Sequence, residues 1–185
     1  LILGLSIQSY IQTKAETIFA DKAIDIKNIK TVVTPFNILL WRIIAQGESK
    51  YYNAYLSIFD DDNEVMIYTH DYDSKLISCV ENDPEYQKMV WFSDGFVRID
   101  LINDQIVATD YRLGLTPTYI FQFAIANYQY GTAESIIPKL LPVRTSNTSS
   151  DFNWLGKRIL GRPMIKQSEQ AFIEKRKAND DIIGC

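Results

Sequence analysis

The chain has 185 residues, enough for one domain of ordinary size, with 46% hydrophobic and 23% charged residues, so it carries the apolar material of a packed core. A net charge of -4 and a sequence pI of about 5.0 do not give the global basic footprint of a nucleic-acid binder, and no nucleic-acid partner is expected. Two cysteines and a single histidine, with no C-x-x-C or H-x-x-x-H spacing, exclude a zinc centre built by this chain alone. Cys79 and Cys185 read as two free thiols, with a disulfide between them as the alternative.

In chain order, residues 3–20 read as a helix whose stripe holds Leu3, Ile7, Tyr10, Ile11, Ile18 and Phe19. The apolar start, Leu1 to Ile7, reads either as the end of a transmembrane helix or as a trimmed amphipathic helix. Residues 26–34 turn extended. Thr34-Pro35 leads into a strand over 37–46 that is apolar on both faces, the mark of a central strand covered on both sides. Strands 51–59 and 64–69 follow, separated by the acidic turn Asp60-Asp61-Asp62-Asn63, which reads as a solvated tip rather than a calcium loop. Asp73 caps a short helix, and Asp83 with Pro84 starts a second.

Strands 95–102 and 105–112 form a hairpin around Asn103-Asp104. A two-residue loop sets Leu101 against Ile106, Ile99 against Ala108 and Val97 against Asp110, which places the carboxylate on the apolar face. A last strand spans 118–127. Ser146 to Ser150 reads as a polar linker, and Asn147-Thr148-Ser149 as a glycosylation sequon of use only in a secreted eukaryotic protein. Asp151 starts a helix with Trp154, Leu155 and Ile159, and a charged helix runs from about 164 to 178.

The expected fold class is therefore α+β, mainly an antiparallel sheet of about six or seven strands with flanking helices at the N-terminus, middle and C-terminus. The expected parts are an N-terminal helix at 1–24, a sheet domain with two inserted helices at 25–130, and a linker with C-terminal helices at 131–185.

Arg42 stands alone among apolar residues in its strand, and an unpaired buried charge is costly. Asp110 is the expected partner. Arg42, Asp110 and Arg112 thus read either as a structural ion pair or as an anion-binding group. Trp41, Tyr55 and Phe121 are the expected lining of a small-ligand or peptide pocket. His70-Asp71-Tyr72-Asp73 reads as loop and cap residues more than as an acid–base or metal pair. The basic residues of the C-terminal segment, Lys157 to Lys177, suit either an anionic lipid surface or a solvated helix.

Five segments in order carry a family resemblance: Thr34-Pro35-Phe36-Asn37-Ile38-Leu39-Leu40-Trp41-Arg42, Phe92-Ser93-Asp94-Gly95-Phe96, Val107-Ala108-Thr109-Asp110-Tyr111-Arg112-Leu113-Gly114, Tyr119-Ile120-Phe121-Gln122-Phe123, and Trp154-Leu155-Gly156-Lys157-Arg158-Ile159-Leu160-Gly161. Over roughly residues 1–163 the chain resembles the C-terminal part of the YdjM-like family, LexA-binding, inner-membrane-associated proteins described as metal-dependent hydrolases. The resemblance implies a bacterial inner-membrane protein. Its divalent metal would be held by His and Asp residues of an N-terminal membrane part, the domain's own partner. No cofactor and no metal ligand is expected in this chain. The expected role is an extramembrane accessory or regulatory domain, not catalytic alone; a binding module and a stand-alone hydrolase are the alternatives.

Overall fold

The computed structural model describes residues 2–61, 65–143, 148–177 and 185. Asp62, Asn63 and Glu64 of the acidic turn, Ser146 of the linker and Asn147 of the sequon lie outside the described residues. The fold is α+β, as its alternating strands and capped helices predict, and all strand pairing is antiparallel.

The chain divides into two compact units, residues 1–71 with 147–170 and residues 72–146 with 171–185. The stretch 25–130, expected as one sheet domain, contributes strands to two separate four-stranded sheets. A sheet this size split in two gives each half its own helix-covered core.

The first unit holds α1 (Ile2–Asp21), β1 (Asn28–Val33), β2 (Leu40–Gln46), β3 (Lys50–Ser57), β4 (Ile67–Asp71), α4 (Thr148–Ile159) and the start of α5 (Gln167–Lys177). Its sheet order is β1-β2-β3-β4. Ile11, Ala15, Ile18 and Phe19 of α1 pack against Trp41, Ile43, Ala45, Ala54 and Leu56, one face of the two central strands. Tyr10, expected on the α1 stripe, is exposed, and Ala15 takes part in the contact instead. A small residue there lets the helix approach the sheet closely. Among the described residues no helix is long and apolar enough to cross a membrane.

The opposite face is polar. β2 sets Arg42 opposite Tyr55, and β4 sets Tyr68 opposite Asn53 and His70 opposite Tyr51, so these side chains point the same way from the sheet. They are nonetheless buried, with α4 and the start of α5 lending them partners. The two-sided cover read from residues 37–46 is thus present, and on the second side the buried Leu40 and Ile44 sit among polar groups.

The second unit holds α2 (Ser74–Val80), α3 (Pro84–Phe92), β5 (Val97–Ile102), β6 (Gln105–Asp110), β7 (Gly114–Leu115), β8 (Thr118–Tyr119), β9 (Gln122–Gln129), β10 (Thr132–Leu140) and the rest of α5. Its main sheet runs β10-β9-β6-β5, beside a small β7-β8 ribbon. The side chains of Asp73 and Asp83 accept the first backbone N–H groups of α2 and α3, the caps their sequence predicts. The β5–β6 register is the one that a two-residue Asn103-Asp104 loop dictates, Val97 opposite Asp110 included. Both loop residues have positive φ, 50° and 58°, as a type I′ turn requires.

β10 is absent from the sequence-based expectation. It is a largely exposed edge strand, with a register shift between Ser135 and Lys139 where Pro138 falls. An edge and a bulge are the two places where a strand tolerates proline. The two cysteines correct another expectation: Cys79 and Cys185 form a disulfide.

Candidate functional site

A group of buried titratable side chains lies on the polar face of the first sheet. β3 alternates Tyr51, Asn53, Tyr55 and Ser57 toward it, and β4 adds Tyr68 and His70. From the first turn of α5, Glu169 supplies the carboxylate. One oxygen, Oε1, accepts from Asn53 Nδ2 at 2.6 Å and lies 2.8 Å from His70 Nε2; the other, Oε2, accepts from the Tyr55 hydroxyl at 2.7 Å. Arg42 donates through Nε and Nη2 to Asn53 Oδ1, at 3.2 and 2.8 Å. Asn53 is thereby a relay: its carbonyl faces the guanidinium and its amide faces the carboxylate. The Tyr51 ring stacks on the His70 imidazole at 4.5 Å and 6°, which fixes the ring plane. Glu169 and Asn53 are 0% exposed, Arg42 and His70 1%, and Tyr55 3%.

Burial drives the Glu169 carboxyl toward its neutral form. The hydrogen bond and charge of His70, the charge of Arg42 and the Tyr55 hydroxyl outweigh that, and its pKa falls below the usual value. An ionised carboxylate only accepts hydrogen bonds. The proton between Glu169 and His70 therefore sits on Nε2.

A second buried ion pair adjoins this group. Arg158 of α4 donates to both carboxylate oxygens of Asp60 and to the Tyr55 carbonyl, the last at 2.8 Å. Asp60 also accepts from the Ser57 N–H at 2.8 Å. Asp60 is thus an internal counter-ion and not the solvated tip expected of it. Lys166 is buried too. Desolvation lowers its pKa against the opposing pull of Glu169 and Asp151, and its ammonium lies 5.5 Å from the Trp154 ring centroid. Trp154 itself packs edge-on against Tyr55 at 4.7 Å.

Arg42 and Asp110, expected as a pair, belong to different units, and each has bonded neighbours within its own. Arg42 bonds to Asn53 in the first. In the second, Asp110 accepts from Arg112 through its backbone N–H, Nε and Nη2, the last at 2.7 Å. Asp110 is 0% exposed, and Arg112 reaches on to the Phe92 carbonyl at 2.9 Å. The hydrogen bond to Asp110 raises the Arg112 pKa. Arg112 is thus held by Asp110 and by the Phe92 carbonyl.

The expected pocket lining also comes apart. Trp41 lies on the apolar face under α1, and Tyr55 lies on the opposite, polar face. Phe121 belongs to the second unit, where its ring meets Phe92 at 6.4 Å and Phe123 at 6.5 Å. Three of the segments that carry the family resemblance meet there. Asp110 N–H donates to the Phe121 carbonyl, and Tyr111 N–H donates to the Phe96 carbonyl. Of the C-terminal basic residues, Arg158 and Lys166 are turned inward, and Arg176 pairs with Asp100 at 3.1 Å.

His70, Asp71 and Asp73 separate in role. His70 joins Glu169, Asp71 meets Lys50 at 3.6 Å, and Asp73 caps α2. Among the described residues, no group of three or more His, Cys, Asp or Glu is placed to hold a metal ion. Sequence reasoning missed Glu169, Asn53 and Asp60. A signal for Asn53 was present: it alternates with Tyr51 and Tyr55, polar atoms at every second position of a strand otherwise fit for a core. No protein-family model matches the chain, and neither a curated protein nor a solved structure matches it.

Proposed function

We propose that this chain is an extramembrane accessory domain of a bacterial inner-membrane protein of the YdjM-like kind, and that it does not turn over substrate by itself. The observation that carries the second part is the closure of the Glu169 group. A general acid or base must come within hydrogen-bond reach of its substrate. Here both carboxylate oxygens and the His70 Nε2 are engaged by protein atoms, in side chains that water does not reach. Such a group acts as a latch: it holds the segment carrying α4 and Glu169 on the polar face of the first sheet. The membrane part that the resemblance implies would supply the metal ligands and the chemistry, and this domain would cover or regulate that site.

The test compares two preparations. The purified chain and membranes containing the protein of the full reading frame are each assayed on phosphate monoesters and carboxylic esters, with added Zn²⁺ or Mn²⁺. The expected result is metal-dependent turnover in the membranes alone. Turnover by the purified chain with stoichiometric metal sinks the reading. So does a full-length protein that stays in the supernatant after the membranes are sedimented.

A further inference from the structure

The chain has two cysteines, 106 positions apart, and the second unit brings them together. Cys79 sits in α2 and packs at the margin of the second core. Its Cα lies 5.1 Å from that of Cys185, within the reach of a disulfide. The backbone N–H of Cys185 also lies 3.2 Å from Cys79 Sγ. No free cysteine remains among the described residues. Residues so distant in sequence meet because of the fold and not through local spacing, and a chain with no other cysteine in these 185 residues has no competing pairing within them.

Thiols in a bacterial cytosol are kept reduced, whereas disulfides form and persist in the periplasm and beyond. We infer that this domain lies on the oxidising, extracytoplasmic side of the membrane, where the Cys79–Cys185 bridge forms and ties residue 185 to α2. The oxidising compartment follows from the bridge alone; the membrane side rests on the reading under Proposed function. The chemistry is thiol–disulfide exchange with a disulfide oxidoreductase as the oxidant. One cysteine thiolate attacks the oxidant's disulfide, forming a mixed disulfide and expelling one thiolate. The other cysteine thiolate attacks that mixed disulfide, closing the bridge and releasing the oxidant as a dithiol. Two electrons pass to the oxidant, and the two cysteines lose their protons.

The experiment uses cells producing the full-length protein, quenched in acid and blocked with N-ethylmaleimide before lysis. Trypsin releases residues 76–88 with Cys79 and the peptide that begins at Ala178 with Cys185. The expected product is one disulfide-linked pair of these peptides, converted to two separate thiol peptides by reductant. Both peptides recovered as maleimide adducts without reductant would overturn the bridge.

The side is read on intact spheroplasts by an impermeant reductant followed by an impermeant maleimide. Labelling of Cys79 and Cys185 before lysis is expected, and labelling that requires lysis overturns the assignment. Cys79→Ser and Cys185→Ser each take away the other cysteine's partner, and the remaining one of the pair is expected to become labelled without reductant. A linked pair in a protein that does not sediment with membranes would fail the membrane reading and leave the bridge standing.

Discussion

The two units bury a guanidinium on the face of a four-stranded sheet, and they neutralise it in opposite ways. In the first unit, Arg42 is served by Asn53, eleven residues away, with the charge balance set by Glu169, 116 residues beyond Asn53. In the second unit, Arg98 bonds to Asp100 of its own strand at 2.6 Å. It is also flanked by the rings of Tyr119 and Phe172, at 4.9 and 4.7 Å from its carbon. The first solution depends on a carboxylate delivered by a distant helix, whose loss removes a counter-charge from a desolvated guanidinium. The second depends on a neighbour two positions along the strand and on aromatic faces that remain when the carboxylate is lost. The same chemical problem is thus met by a carboxylate from a distant helix in one unit and by a carboxylate of the same strand, with two rings from farther along the chain beside it, in the other.

The sharpest way to break this comparison is Glu169→Ala. Removing one partner of a buried charge group costs about 3–5 kcal/mol, because the remaining charges stay desolvated. Denaturant unfolding is expected to show that loss, with hydrogen exchange placing it in the first unit. Asp100→Ala is expected to cost less, about 1.5–3 kcal/mol, the range for a hydrogen bond to a charged group. If Asp100→Ala proves equal to or worse than Glu169→Ala, the two solutions do not differ in kind.

The same contrast explains what could be read from the sequence. The β5–β6 register was legible because Asn103-Asp104 is a local turn signal and fixes every pair that follows. That Arg42 was a buried cation was legible too, since its strand is apolar on both sides. Its partner was not. Asp110 fell on an apolar face and looked available, while Glu169 lay in Gln167-Ser168-Glu169-Gln170, a stretch indistinguishable from a solvated helix. Nothing in local periodicity marks which of many helical carboxylates turns inward; only the tertiary fold decides. Asp60 was misread for a related reason, because acidic residues after a strand usually end in water. β10 escaped because Pro138 and an exposed edge remove the alternation by which strands are recognised.

Acid sharpens the comparison more gently than mutation. The Glu169 pKa is depressed in the fold, so its contribution is fully present above the unfolded carboxyl value, 4.5, and is lost as pH falls through the lower folded value. Protection of β3 and β4 amides is expected to fall across that interval in the wild type. In Glu169→Gln, already destabilised at neutral pH, this part of the acid dependence is expected to vanish. An unchanged acid profile in Glu169→Gln would assign the loss to other carboxylates.

The smallest effect concerns local chemistry alone. The β9–β10 loop places Tyr130 at φ 48° and Gly131 at φ 77°, and Tyr130 is fully exposed. A tyrosine in the left-handed region is strained, whereas asparagine enters it readily because its short polar side chain bonds to nearby backbone. Tyr130→Asn removes no buried contact and is expected to stabilise the second unit by up to about 1 kcal/mol. The gain should appear as a higher unfolding midpoint and slower exchange in β9 and β10, without change in β3 or β4. A loss of stability would show that the exposed ring contributes more than its backbone strain costs.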